Sequence, residues 1–313
     1  MPFPSMGQSR IRTNIAAENA YNALNESDRD ISLRQLRLST GKRINNASDD
    51  VAGYITSRSL IMRNESLNAS LELVGQAHNI SNILMDSLSE ISDLITEIKR
   101  NATAASSGAM GTDEKVAQAK AAYRMVQQVQ TVVDSTVFGG KALLDGSYKS
   151  NFFIGLNAKN ELITLSIDMT PKNDDFDLDS NYFNVNAMSE NNFAGITGLD
   201  LKKLYEVEPD NLGILDESMI NTTLISLSKA LQNTTKVAAY IGGISNRLYS
   251  QEDVLLNQIT NYKSAISRIE DSDIAKEQLQ LVKSQFLQQT SLISLTQANQ
   301  IPGNYVNLIQ QGM

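Results

Sequence analysis

The chain of 313 residues contains no cysteine, no tryptophan and a single histidine. Without cysteine there is no disulfide and no thiolate metal site. A lone histidine, His78, excludes the paired-histidine zinc motif and lacks partners for catalysis, so a structural or surface role is expected of it. Aromatic residues make up 6% of the chain, too few bulky anchors for an ordinary globular core; aliphatic helix seams must replace them. No uncharged apolar run approaches the roughly 20 residues of a membrane span, so no membrane insertion is expected. The opening Met1-Pro2-Phe3-Pro4-Ser5-Met6-Gly7 has neither a charged nor an apolar signal region, and a cleaved secretory signal is not expected. A net charge of -8 with no basic stripe on any predicted face argues against nucleic acid as a partner. No nucleophile–base pair, metal cluster or phosphate loop is present, so neither an enzyme nor a cofactor is expected.

What the chain does have is helical periodicity. Leu73, Ala77, Ile80, Leu84, Leu88, Ile91, Ile95 and Ile98 recur at three- and four-residue steps. A second series runs through Ile220, Leu224, Leu227, Leu231, Thr234, Ala238, Ile241, Ser245, Leu248, Leu255, Ile259, Tyr262, Ile266 and Ile269, interrupted at Glu252. Such spacing predicts a coiled coil or long bundle. At 1.5 Å per residue, Glu217–Ile269 corresponds to a rod of about 80 Å. A weaker first helix is predicted over 11–38, with Ala17, Leu24, Ile31 and Leu38 at heptad spacing and Asp28 and Gln35 between them. Polar turn residues follow from Ser39 to Asp50, where Asp49-Asp50 near Arg43 reads as a turn and helix cap. Gly108 and Gly111 mark a break before a third helix reaching about Thr136. After Asp271, expected to cap a fresh start, Leu279, Val282, Phe286 and Ile293 form a further helical stripe leading to Pro302.

Between the helical ends the character changes. Gly139-Gly140 and Asp145-Gly146 are turn signals, and Ile163, Leu165 and Ile167 alternate with polar residues as a half-buried strand does. Residues 170–216 hold scattered Asn, Asp and Gly, with one short helix expected near Leu199–Tyr205. The acidic group Asp174, Asp175, Asp177 and Asp179 lacks the Gly and distal Glu of a calcium loop and reads as solvated charge. The expected fold is mainly α. Paired N- and C-terminal segments form a long coiled-coil or helical-bundle rod, and a small β-containing insertion sits at its centre.

Particular stretches carry a resemblance. Leu38-Ser39-Thr40-Gly41-Lys42-Arg43-Ile44-Asn45-Asn46-Ala47-Ser48-Asp49-Asp50-Val51-Ala52-Gly53 closely resembles the N-terminal signature of bacterial flagellins, with Val51 where that family usually has Ala. Ser267-Arg268-Ile269-Glu270-Asp271-Ser272-Asp273, Leu287-Gln288-Gln289 and Gln297-Ala298-Asn299 before Pro302 resemble its C-terminal motifs. Phe138-Gly139-Gly140 with Leu143-Leu144-Asp145-Gly146 resembles its central one.

The resemblance implies a subunit that polymerises into the flagellar filament for swimming motility. It implies a terminal helical core domain from residues 1–45 and 275–313. Residues 46–169 and 217–274 would form a long-helix bundle with a β-hairpin, and 170–216 a small variable surface insertion. It also implies partners: further copies of the chain in a helical homopolymer, sister flagellins, the flagellar cap protein, hook-associated proteins and a flagellin-specific export chaperone. The implied location is extracellular, in the filament, after export by the flagellar type III pathway without a cleaved signal. The assembly residues expected on this reading are Leu24, Ile31, Leu38, Leu287, Leu292 and Leu295 in the helical stripes, with Arg43, Asn45, Asp49 and Asp50 at the turn. The rival within the superfamily is the hook–filament junction protein, an adaptor present in few copies. The C-terminal motif and the central one favour the filament subunit.

Overall fold

The computed structural model describes residues 13–156, 162–170, 192–193, 196–197, 207–210 and 212–311. The described residues form helices α1 (Ile15–Thr40), α2 (Val51–Ala105), α3 (Thr112–Ser135), α4 (Ile220–Glu270) and α5 (Ile274–Gln311). Between α3 and α4 lie short strands β1 (Val137–Phe138), β2 (Lys141–Ala142), β3 (Lys149–Leu156), β4 (Leu162–Asp168), β5 (Asn192–Phe193) and β6 (Ile196–Thr197). The fold is mainly α, with antiparallel two-stranded pairs in the middle of the chain. It divides into two compact units, Glu65–Ile259 on the one hand and Met1–Asn64 with Thr260–Met313 on the other.

The Glu65–Ile259 unit is built on aliphatic burial. Ile80, Leu84, Leu88, Ile91, Ile95 and Ile98 of α2 are all buried to 2% exposure or less. Their three- and four-residue steps keep them on one side of the helix. Ala119, Tyr123, Val126, Val129 and Val133 supply the buried face of α3. That helix starts where the glycines break α2, and the Glu114 carboxylate accepts a hydrogen bond from the Gly111 amide at 3.2 Å. Two acids in its first turn, Asp113 and Glu114, suit the positive end of the helix dipole.

The β elements follow their turn chemistry. Gly139 and Gly140 have φ of 57° and 79°, as the two-residue turn joining β1 to β2 requires. β3 and β4 pair antiparallel from Lys149↔Asp168 to Leu156↔Leu162, with an irregularity between Phe153 and Gly155. Phe152, Ile154, Leu165 and Ile167 are buried, while Ile163, expected inside, is exposed. From α4, the Gln251 side-chain amide donates to the Ile154 carbonyl at 2.8 Å. The Tyr240 hydroxyl accepts from the Asp168 amide at 3.2 Å. These bonds fix the hairpin against the helix.

Several sequence expectations shift in detail. In α4 the buried series runs through Leu227, Ala230, Thr234, Val237, Ile241, Ile244, Leu248, Leu255 and Ile259. Ala230, Val237 and Ile244 thus replace Leu231, Ala238 and Ser245, each one residue earlier; at the first two both neighbours are apolar and either fits the period. Met85, expected in a seam, is 37% exposed. His78 is buried against α4, its ring centroid 4.1 Å from that of Tyr249 and its Nε2 3.7 Å from the Glu252 carboxylate. The break in the α4 series at Glu252 therefore lies opposite the one histidine. The expected helix at Leu199–Tyr205 and the acidic group at Asp174–Asp179 lie outside the described residues.

Candidate assembly interface

The Met1–Asn64 and Thr260–Met313 segments meet through two turns and two helices. Gly41 ends α1 with φ of 69°, the left-handed cap that glycine adopts without strain. Its carbonyl accepts from the Ser272 amide at 2.9 Å, and Lys42 and Asp271 form an isolated antiparallel bridge. The Arg43 amide donates to the Glu270 carbonyl, and the Arg43 guanidinium to the Ile269 carbonyl at 2.8 Å. Lys42 Nζ lies 2.9 Å from the Glu270 carboxylate. Arginine thus satisfies carbonyls that the end of α4 leaves free. Burial raises the Glu270 carboxyl, but hydrogen bonds from Lys42 and Ser57, with the Lys42 and Arg58 charges, more than offset this and hold it below its ordinary value.

The same turn organises the start of α2. Asp49 accepts from the amides of Asn45 and Asn46, each at 3.0 Å. Those two bonds, Asn46 first, hold its carboxyl below the usual carboxylate range, with the Arg37 charge adding to them. Asp50 caps α2 by accepting from the Gly53 amide at 2.9 Å. A Cβ on Gly53 would stand 2.6 Å from the Asp50 carboxylate and 2.7 Å from the Ile44 side chain, so a side chain here must displace the Asp50 cap and Ile44. Asn45 donates its side-chain amide to the Lys42 carbonyl at 3.1 Å. Arg43, Asn45, Asp49 and Asp50 are thus brought into one turn, each engaged with backbone. The cap of α5 is Asp273, which accepts from the Lys276 amide, and not Asp271, whose backbone is taken up by the bridge to Lys42.

α1 and α5 pack antiparallel through a thin seam. Arg34 and Arg37 both reach the Glu277 carboxylate, at 2.9 and 3.4 Å. At the other end Asn14 donates to the Ala298 carbonyl at 2.7 Å. The inward positions of α1 are Ala17, Ala20, Leu24, Ser27, Ile31, Arg34 and Leu38, all at least half-buried. The expected intervening positions Asp28 and Gln35 are exposed; Ser27 and Arg34, one residue earlier, take their place. On α5 the corresponding series is Glu277, Leu281, Ser284, Gln288, Ser291, Leu295 and Ala298. Helix α5 does not stop at Pro302 but runs through it.

The outer side of α5 is the unusual surface. Leu279, Val282, Phe286 and Ile293 are 55–68% exposed. At 100° per residue they lie on the side opposite the Glu277–Ala298 seam. Leu287 and Leu292, expected as interface residues, are 45% and 53% exposed on the two flanks, whereas Leu295 is half-buried in the seam. Leu24, Ile31 and Leu38 lie half-buried along α1. At the start of α2, Val51, Ile55 and Met62 form another exposed apolar row. On α5 the larger apolar side chains thus lie on the side that α1 leaves uncovered, a stripe that calls for a further partner. Sequence periodicity found the outer stripe but could not tell which side faced α1, because the true seam is mostly small and polar.

Comparison with known proteins accords with this arrangement. Residues 11–149 match the family described as the bacterial flagellin N-terminal helical region. Residues 224–309 match the bacterial flagellin C-terminal helical region. The chain is 26% identical over 316 residues to a protein named Flagellin from Bacillus subtilis strain 168, covering 96% of this chain and 100% of that one. It is 22% identical over 378 residues to Flagellin A of Vibrio anguillarum, covering 96% and 99%. With Flagellin of Listeria innocua it shares 24% over 300 residues, covering 96% and 99%.

Proposed function

We propose, for a chain that belongs to the bacterial flagellin family and is a structural subunit of the flagellar filament, that copies join by covering the outer faces of α1 and α5. The observation that carries this reading is the stripe Leu279, Val282, Phe286 and Ile293, opposite the side of α5 that α1 covers. Full burial of one such side chain contributes about 1.5–3 kcal/mol, so covering the stripe is a large favourable part of any contact between copies. A contact between different surfaces of identical subunits grows into an open helical polymer when its rotation does not close.

On this reading residues 1–45 and 275–313 form the terminal core of the filament. Residues 46–169 and 217–274 form the next layer, and 170–216 a variable surface insertion. Leu24, Ile31, Leu38 and Leu295 hold the helix pair together, and Leu287 and Leu292 meet neighbouring copies. Arg43, Asn45, Asp49 and Asp50 set the turn from which both layers start. The thin α1–α5 seam offsets little of the entropy of ordering two long helices. We therefore infer that these ends order fully only among neighbouring copies. The filament is an extracellular appendage, and export by the flagellar type III route without a cleaved signal accords with the family. Cap protein, hook-associated proteins, sister flagellins and an export chaperone are the partners this role calls for. Nothing favours the hook–filament junction alternative.

Electron microscopy of purified chain after addition of salt and short filament seeds tests the proposal. Long uniform tubes are expected. Persistent monomers with intact helicity would count against it.

A further inference from the structure

The α1–α5 seam has a register problem, and the structure contains its solution. Ala17, Leu24, Ile31 and Leu38 repeat every seven residues, and so do Leu281, Gln288 and Leu295 on the opposing helix. Sliding one helix by a heptad brings similar side chains together again, so apolar packing alone discriminates poorly between registers. The bonds of Gly41 to Ser272 and of Lys42 to Asp271 tie the two helices at the turn end, and polar contacts hold the alignment along the seam. The carboxylate of Glu277, 9% exposed, is gripped by Arg34 and Arg37. After a slip of seven residues it would face Ser27 or Gly41, leaving two half-buried guanidinium groups and a buried carboxylate unpaired.

The second contact lies at the far end and has a covalent origin. Pro302 has no amide hydrogen, so the carbonyl four residues back, that of Ala298, loses its helical partner. Ala298 is 5% exposed and faces α1. The side-chain amide of Asn14 donates to this carbonyl at 2.7 Å while its oxygen caps α1 by accepting from the Ala17 amide at 3.1 Å. One side chain thereby starts one helix and completes the other. Both contacts give the same alignment, Asn14 against Ala298 and Arg34 against Glu277, and a heptad slip breaks both.

We infer that Asn14 and the Arg34–Glu277–Arg37 cluster are positioning residues that select one register of α1 on α5, and so fix which faces the pair presents to neighbouring copies. The inference rests on the filament reading, in which the two ends order fully. The chain lacks cysteine, so introduced pairs report alignment directly. Ser27→Cys with Ser284→Cys reads the observed register. Ser27→Cys with Ser291→Cys and Ala20→Cys with Ser284→Cys read the two heptad slips. Oxidation is carried out under polymerising conditions, and filament formation by the unaltered chain tests the family reading separately.

In the otherwise unaltered chain the 27–284 bridge should dominate. Adding Glu277→Gln and Asn14→Ala should raise a slipped bridge at least ten-fold or abolish all three. Adding Arg34→Glu, Arg37→Glu and Glu277→Arg in place of Glu277→Gln, with Asn14 retained, should restore the 27–284 bridge alone. An undiminished, exclusive 27–284 bridge without the contacts would overturn the inference, as would failure of the charge swap to restore it.

Discussion

The Glu65–Ile259 unit and the α1–α5 pair are both helical and both patterned in heptads, yet they are stabilised in opposite ways. In the first, Ile80, Leu84, Leu88, Ile91, Ile95 and Ile98 disappear from solvent within the chain itself. In α1 the one buried residue is Ser27, and in α5 the largest apolar side chains point outward. The same periodicity therefore serves two ends: a core that closes on itself, and a surface that closes on a neighbour. Periodicity tells how many faces a helix has; burial tells which of them are already used.

The sharpest way to break this contrast is to place a charge on each side of it. Leu292→Asp should abolish filaments seen by electron microscopy while shifting monomer stability by no more than about 0.5 kcal/mol, because Leu292 is 53% exposed. Normal filaments from that variant would remove Leu292 from the interface. Leu84→Ala acts in the reverse sense. Its side chain is fully buried, and thermal or denaturant unfolding should show a loss of about 2–5 kcal/mol. Gly53→Ala should cost about 1–3 kcal/mol through collision with Asp50 and Ile44, read as a lower melting temperature of the Met1–Asn64 and Thr260–Met313 unit. An unchanged melt would mean the turn accommodates a methyl group freely.

The smallest effect is that of pH. Asp49 and Glu270 both have carboxyl pKa values lowered in the folded chain. Their contribution is fully present above the ordinary carboxylate value of about 4 and is lost as pH falls through the lowered folded values. Acidification below about pH 4 should loosen this turn, and Asp49→Asn should flatten part of that dependence. A profile identical to that of the unaltered chain would mean that Asp49 contributes nothing to it.

Much of this was legible in the sequence, and what was not has physical causes. The α2 series was readable from Ala77 to Ile98, where the apolar steps recur over many turns, though at its start Val74 and not Leu73 is buried. The α4 series slipped by one residue at Ala230 and Val237 because Leu231 and Ala238 satisfy the period equally well, and the slip carried on to Ser245 in place of Ile244. The α1–α5 seam was misassigned at Asp28 and Gln35, since Ser27 and Arg34 are inside for reasons of size and charge that periodicity does not weigh. The role of Asn14 could not be seen locally, because it depends on a carbonyl freed by Pro302 near the other end of the chain. The turn residues Arg43, Asp49 and Asp50 were identifiable from motif and capping chemistry, though the partners of Arg43 at Ile269 and Glu270 were not.

The measurement that bears most directly on the contrast is limited proteolysis of monomer and filament side by side, with cleavage sites mapped along the chain. The account predicts that sites in α1 and α5 are cut readily in the monomer and become protected in the filament, while the buried stretch of α2 from Ile80 to Ile98 resists in both. Equal protection of the two ends in monomer and filament would contradict it.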